Sequence, residues 1–279
     1  MFVKELRTLF YTGGMPTSSD REQPAGQSRP GPVTTGGQTA LPAAPPRVAR
    51  RSSAPGRKPT LSVPVIVAAA IEALDEAGFA GLSMRRVADR LGTGAASLYA
   101  HVSGREELLE LVFDALVGQV KLEDPDPARW REQVHRLMRD LRDILASHTD
   151  AALAGLGRVP TTPQTLAAAE VLTGVLRAGG LSDRVIALGF DQLVLYVSAF
   201  AHEAGLYRKA DPAEVERYFA GVHAFYATLP PDRYPVLSAI APAMTGAAAD
   251  DRFEFGLNVL IAGFEAASAA EAAAGKPRG

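Results

Sequence analysis

Two short helical patterns joined across the turn Gly92-Thr93-Gly94 constrain this chain more than anything else in its 279 residues. In the first, Ser83 is placed to cap a helix, and Val87, Ala88 and Leu91 recur on one face of it. Gly92 follows the last of them, at the place where a left-handed C-cap asks for glycine. In the second, Ala95 to Val102, a helix of about two turns points Leu98 and Val102 inward and leaves Ser97, Tyr99 and His101 more exposed. Ser103 then stands as the cap of a third helix, with Glu106 completing a capping box. Upstream, Ser62 and Pro64 open a helix with the apolar stripe Ile66, Ala70, Ile71 and Leu74, which Gly78 stops, and Phe79 and Leu82 fill the small core. Helix, glycine turn, short helix is the layout of a helix-turn-helix, whose second helix enters the major groove of DNA.

The residues of this stretch carry a family resemblance. The pattern AAxxxLxxxGxxGLSMRRVAxxLG from Ala69 to Gly92 and the run SLYAHVSGREELL from Ser97 to Leu109 resemble the DNA-binding domain of the tetracycline-repressor (TetR) family of bacterial transcription regulators. The resemblance implies that Arg85 reaches a base edge or a phosphate, arginine being the best bidentate reader of guanine. It implies that Ser97, Tyr99 and Arg105 hold DNA backbone or bases. His101 is either a phosphate contact or a packing residue. Ala95 and Ala96 offer only methyl groups, which can touch a thymine methyl but donate nothing, so readout leans on Arg85, Ser97 and DNA shape.

Net charge is −2 at neutral pH, with a pI of about 6.2, so the molecule as a whole is not a bulk electrostatic binder of nucleic acid. Basic charge is local. Gly, Pro, Ser and Thr dominate the tail, residues 1–58, which has little to bury and is expected to be disordered, with Met15 as a possible later start. Its end, residues 47–58, is a basic arm: Arg47, Arg50, Arg51, Arg57 and Lys58 stand with no acidic residue among them, ahead of the helix-turn-helix. Such an arm can lie along phosphates or reach a minor groove. There are no cysteines, hence no disulfides and no thiol chemistry. The five histidines form no HExxH or i,i+4 pair, and no nucleophile elbow or phosphate loop occurs, so the chain is not read as an enzyme. No secretory pattern and no apolar run near 20 residues is seen, which points to a cytoplasmic protein without a membrane partner.

The expected fold is all-α: a helix-turn-helix head over residues 59–116, a helical body for effector binding and dimerisation over 117–270, and a disordered C-terminus, 271–279. In the body, Asp126-Pro127 opens a helix carrying Trp130, Val134, Leu137, Leu141 and Ile144, and Thr162-Pro163 opens another that runs to Arg177. Asp183 to about Tyr207 is apolar nearly all round and so is buried on more than one side. Asp251 to Ala269 carries Phe253, Leu257, Leu260, Ile261 and Phe264, with Gly256 and Gly263 permitting close approach.

Residues 148–161 and 250–266 resemble the C-terminal domain of the tetracycline repressors themselves. The resemblance implies a four-helix homodimer interface setting two recognition helices on the half-sites of a palindromic operator. It also bears on the ligand. In tetracycline-binding members a histidine coordinates the drug-bound magnesium, and its position falls on Gly155 here. The amide and aromatic that touch the drug fall on Leu137 and Leu141, and an acidic residue near the metal falls on His202, with Glu203 beside it. No metal or cofactor is therefore expected, and the effector is read as small and largely apolar. Candidate pocket residues are Leu137, Met138, Leu141, Arg158, Val171, Tyr196, Phe200 and His202. His223 with Tyr226 forms a second cluster, and residues 229–249 read as a covering flap. The reading is a ligand-released dimeric repressor; a helix-turn-helix activator, or a DNA binder without effector, remains the alternative.

Overall fold

The computed structural model describes residues 60–246 and 248–274. Among them are eleven helices and no strand, as an all-α chain requires. The head is built from α1 (Val63–Gly81), α2 (Met84–Arg90), α3 (Ala95–Leu98) and α4 (Arg105–Val117). Its core holds Ile66, Leu74, Leu82, Val87, Leu98, Leu108 and Val112, all at most 1 % exposed. Gly78 breaks α1 three residues before its end, with φ +70° and ψ 178°, and the chain resumes a helical turn to Gly81. Gly92 takes φ +63°, the left-handed cap that its place in the sequence calls for.

Two expectations for the head need correction. α3 is a single turn, Ala95–Leu98, rather than a two-turn helix to Val102; the chain continues as a turn with the His101 and Val102 amides both on the Leu98 carbonyl. The cap of α4 lies one residue further on, at Gly104. The carboxylate that reaches back is then Glu107, which accepts from the Ser103 N–H at 2.6 Å, and hydrogen bonding from Ser103, its side chain first and its backbone second, holds the carboxyl below the usual range. Glu106 faces elsewhere.

The body comprises α5 (Trp130–Ser147), α6 (Ala151–Gly155), α7 (Pro163–Ala178), α8 (Asp183–Lys209), α9 (Pro212–Ala227), α10 (Pro235–Gly246) and α11 (Ala249–Ala274). α5 starts at Trp130 and not at Pro127, because Asp126 first closes a turn by accepting from the Ala128 N–H. Gln133, 2 % exposed, straps that turn by accepting from the Asp126 N–H and donating to the Asp124 carbonyl. Thr162 and Thr165 form the capping box of α7, and Ser182 caps α8. Gly256 lets α11 approach α8 closely: a Cβ there would sit 2.1 Å from the Tyr196 hydroxyl, whereas at Gly263 it would meet nothing. The stretch read as a flap is itself mostly helix α10, and α11 runs to Ala274, into the segment expected to be disordered. α8 and α11 are also long and apolar enough to cross a membrane by length and composition alone, contrary to the expectation that no such run exists. A second core, with Trp130, Val134, Leu176, Leu193, Val197, Phe253 and Leu257, joins α5, α7, α8 and α11.

Candidate nucleic-acid interface and effector cavity

The outer surface of the head is made by what its core does not need. Met84, Val87, Ala88, Leu98 and Val102 are buried, so Arg85, Ala96, Ser97, Tyr99 and His101 are left exposed, with Ala95 half-buried beside them. Tyr99 is 54 % exposed, so its ring and hydroxyl are accessible to a partner. Ser83 Oγ accepts from the Arg86 N–H and fixes the start of α2. Arg85 reaches only a loose 3.9 Å approach to Asp89, its one ion pair among the described residues. Arg90, by contrast, is clamped by Glu72 and Glu76 of α1 at 2.6–2.7 Å, which pushes its pKa further up and draws that of Glu76 down.

Arg105 points inward. Its guanidinium donates to the backbone carbonyls of Leu82 (3.0 Å) and Phe79 (2.6 Å) and stacks on the Phe79 ring at 4.7 Å. These bonds hold the turn between α1 and α2. Arg50, Arg51, Arg57 and Lys58 of the basic arm lie outside the described residues.

Between α4 and the body lies a half-open cavity with about 870 Å³ of empty space, the open solvent at its mouth included. Of the predicted pocket residues, Leu137, Met138, Leu141 and Arg158 line it, together with Phe113 and Val117 of α4, Thr162 and Thr165, and Phe190 and Val194 of α8. Val171, Tyr196, Phe200 and His202 are not in its lining. Tyr196 and Phe200 pack instead around Phe253, with ring centroids 4.8–5.5 Å apart, and the Tyr196 hydroxyl donates to the Phe253 carbonyl at 2.9 Å. Burial accordingly raises the Tyr196 pKa. Nor is Arg158 unpartnered: it pairs with Glu110 and Glu106 of α4. His223 pairs with Thr245 at 2.7 Å rather than with Tyr226. Sequence reasoning missed Phe190 and Val194, which lie on α8 in another direction from Tyr196 and Phe200.

α4 and the cavity wall share side chains. Glu106, Glu110 and Asp114, one helical turn apart, all face the segment 158–165: the first two take Arg158, and Asp114 accepts the Gln164 and Thr165 N–H groups at the start of α7. A wall of the cavity is thus bolted to the last helix of the head. At Gly155 a Cβ would come within 2.4 Å of the Phe113 ring, so a side chain there would have to displace that ring.

The family model for bacterial regulatory proteins of the tetR family matches residues 66–112, and that for the tetracyclin repressor-like C-terminal domain matches 124–268. The chain belongs to the TetR family. As a TetR-family protein it is a DNA-binding transcriptional regulator with a helical ligand-binding body, not an enzyme. Similar proteins include an HTH-type transcriptional regulator of Saccharopolyspora erythraea, 33 % identical over 77 % of this chain and 89 % of its own length. The HTH-type transcriptional repressor DrrR1 of Streptomyces coeruleorubidus is 30 % identical over 75 % of this chain and 79 % of its own. ActR of Streptomyces coelicolor, solved in complex with actinorhodin, superposes with a TM-score of 0.69 at 40 % identity, covering 75 % of this chain and 98 % of that one.

Proposed function

We propose that this TetR-family regulator is a cytoplasmic dimeric repressor that binds a palindromic operator and is released by a small, largely apolar effector. The observation that carries the reading is the shared wall: segment 158–165 both lines the cavity and is gripped by Glu106, Glu110 and Asp114 of the head's last helix. An effector that fits the cavity better in one position of that wall favours the matching position of α4, and differential binding is all that coupling requires. The lining is mainly Phe, Leu, Val and Met, with Arg158 and Glu110 already paired, which supports an apolar ligand. ActR is solved with actinorhodin and with (S)-DNPA, and these two compounds are the first effectors to try on this chain. Tetracycline is not proposed, because the position of the magnesium-binding histidine is Gly155, and Phe113 fills the space in front of it.

The proposed DNA contacts are Arg85, Ser97, Tyr99 and His101, with Ala95 and Ala96 against base methyls, and the basic arm Arg50, Arg51, Arg57 and Lys58 on phosphate. Arg105 acts on DNA indirectly, by holding the turn before α2. The proposed head comprises α1 to α4 and the proposed body α5 to α11.

The test is selection of random DNA fragments by the purified full chain. Enrichment of one short inverted repeat is expected, with Arg85→Ala and Tyr99→Ala abolishing it while the dimer persists. The repeat then serves as the probe for a release screen starting from actinorhodin and (S)-DNPA. A folded dimer that enriches no sequence would refute the repressor reading.

A further inference from the structure

One node outside the cavity and the DNA-facing surface ties the two parts of the molecule together. Asp150, at the start of α6, has φ +54° and ψ +13° and is the one non-glycine residue in the left-handed region among the described residues. Its Oδ2 accepts from the Phe79 N–H at 3.1 Å. That N–H lies just after the break in α1 at Gly78, a conformation that glycine alone adopts readily. A Cβ on Gly78 would stand 2.6 Å from the same Oδ2, so the carboxylate occupies the space the missing side chain leaves. The two preceding residues also hook onto α1: the Thr149 N–H donates to Asp75 at 2.7 Å, and His148 Nδ1 meets Asp75 at 2.9 Å.

The grip is on the backbone that leads to the recognition unit. Asp150 takes the Phe79 N–H, and Arg105 takes the Phe79 and Leu82 carbonyls. The next residue, Ser83, caps α2. The other oxygen of Asp150 pairs with Lys209 Nζ at 3.2 Å, and Lys209 is the last residue of α8. The same α8 lines the cavity through Phe190 and Val194.

We propose that Asp150 is a positioning residue for DNA binding: it sets the direction of the head by holding the broken backbone of α1, and Lys209 makes that hold depend on the C-terminal end of α8. A carboxylate shared between a backbone amide and an ammonium moves when either partner moves, so a shift of α8 is felt at Phe79. The pair is partly exposed and weak as a stabiliser. As a setting for head direction it needs only the low end of site-to-site coupling, about fivefold in affinity. The proposal rests on the reading that head position governs operator affinity.

The chain contains no cysteine, so introduced cysteines label cleanly. Cysteines placed at Arg86 on the head and Glu170 on the body, both exposed, carry spin labels for a distance measurement within one chain. Labelled chain is mixed with excess unlabelled chain, so that each dimer holds one labelled copy. Lys209→Met and Asp150→Asn should shift or broaden the 86–170 distance distribution in the same way, and change affinity for the selected operator about fivefold. Lys209→Arg should restore both, and the thermal midpoints should stay close to the parent's. Asp150→Ala, which also removes the acceptor for Phe79, should displace the distribution further; if it does not fold, the Lys209 variants still decide. Distributions that superimpose on the parent's overturn the proposal. A displaced distribution with unchanged operator affinity upholds Asp150 as the positioning residue and overturns the separate reading that head position governs affinity.

Discussion

Gly155 and Arg105 show what a single side chain settles here. Gly155 is buried with the Phe113 ring where its side chain would be. Gly155→Ala is therefore expected to overpack the site and lower stability by about 1–3 kcal/mol. In urea unfolding, Phe113→Leu should recover part of that loss, as neighbours sharing one space do; strict additivity of the two would contradict the crowding. The sequence marked Gly155 as the place where a ligand-binding histidine was missing, but the ring that takes its place comes from α4, 42 residues earlier, and no local pattern announces it. Arg105 was legible as a matched position and not as a partner of Phe79 and Leu82, because its acceptors are backbone carbonyls, which every residue carries. Arg105→Ala should cost about 1.5–3 kcal/mol, the range for hydrogen bonds from a charged donor. The loss should be seen in thermal unfolding without DNA. An unchanged midpoint would return Arg105 to the DNA-facing set.

At the level of elements, a row of ion pairs runs between α5 and α11. Arg131 meets Glu265, His135 and Arg139 converge on Glu254, and Arg142 pairs with Asp250 while stacking on Phe253. Arg139 above all, aided by His135, holds the Glu254 carboxyl below its ordinary value of 4.5, against the opposing effect of burial. A depressed carboxyl contributes stability that is complete above its unfolded pKa and is lost as pH falls through the folded one. The α5–α11 tie should thus be intact near neutrality and weaken as pH drops below about 4.5. Glu254→Gln should be less stable than the parent at pH 7 and converge with it in acid; a constant gap from pH 7 to 3 would assign the loss to packing instead. Several elements were legible from local caps, Ser83, Gly92 and Thr162 acting as their positions suggest, although Ser103 did not. The facing of α8 was not legible. A helix apolar all round has no polar side to orient it, so Tyr196 and Phe200 were as good a guess for the cavity as Phe190 and Val194.

On the scale of the whole molecule, α8 and α11 leave apolar surface exposed among the described residues. Leu188 and Leu195 on α8, and Phe255 and Val259 on α11, are 45–72 % exposed, although both helices also supply the body's core. Leu188 and Val259 border one groove between the two helices, next to Gly189 and Gly263. A two-fold partner laying its own α8 and α11 there would complete a four-helix interface in which the same patch meets itself. It would also hold two heads at a fixed separation, which two half-sites of an inverted repeat require. Placing a charge in the middle of this patch should be tolerated by the isolated fold and not by the pair. Phe255→Asp, at the most exposed of the four positions, is expected to sediment as a monomer with its helix content intact. Its affinity for an inverted repeat should fall to that of a single head on a half-site, while the head's own contacts are unaltered. A Phe255→Asp chain that stays dimeric would place the partner on another face, and the exposed apolar surface of α9 and α10, with Phe225 and Val236, would be the next to alter.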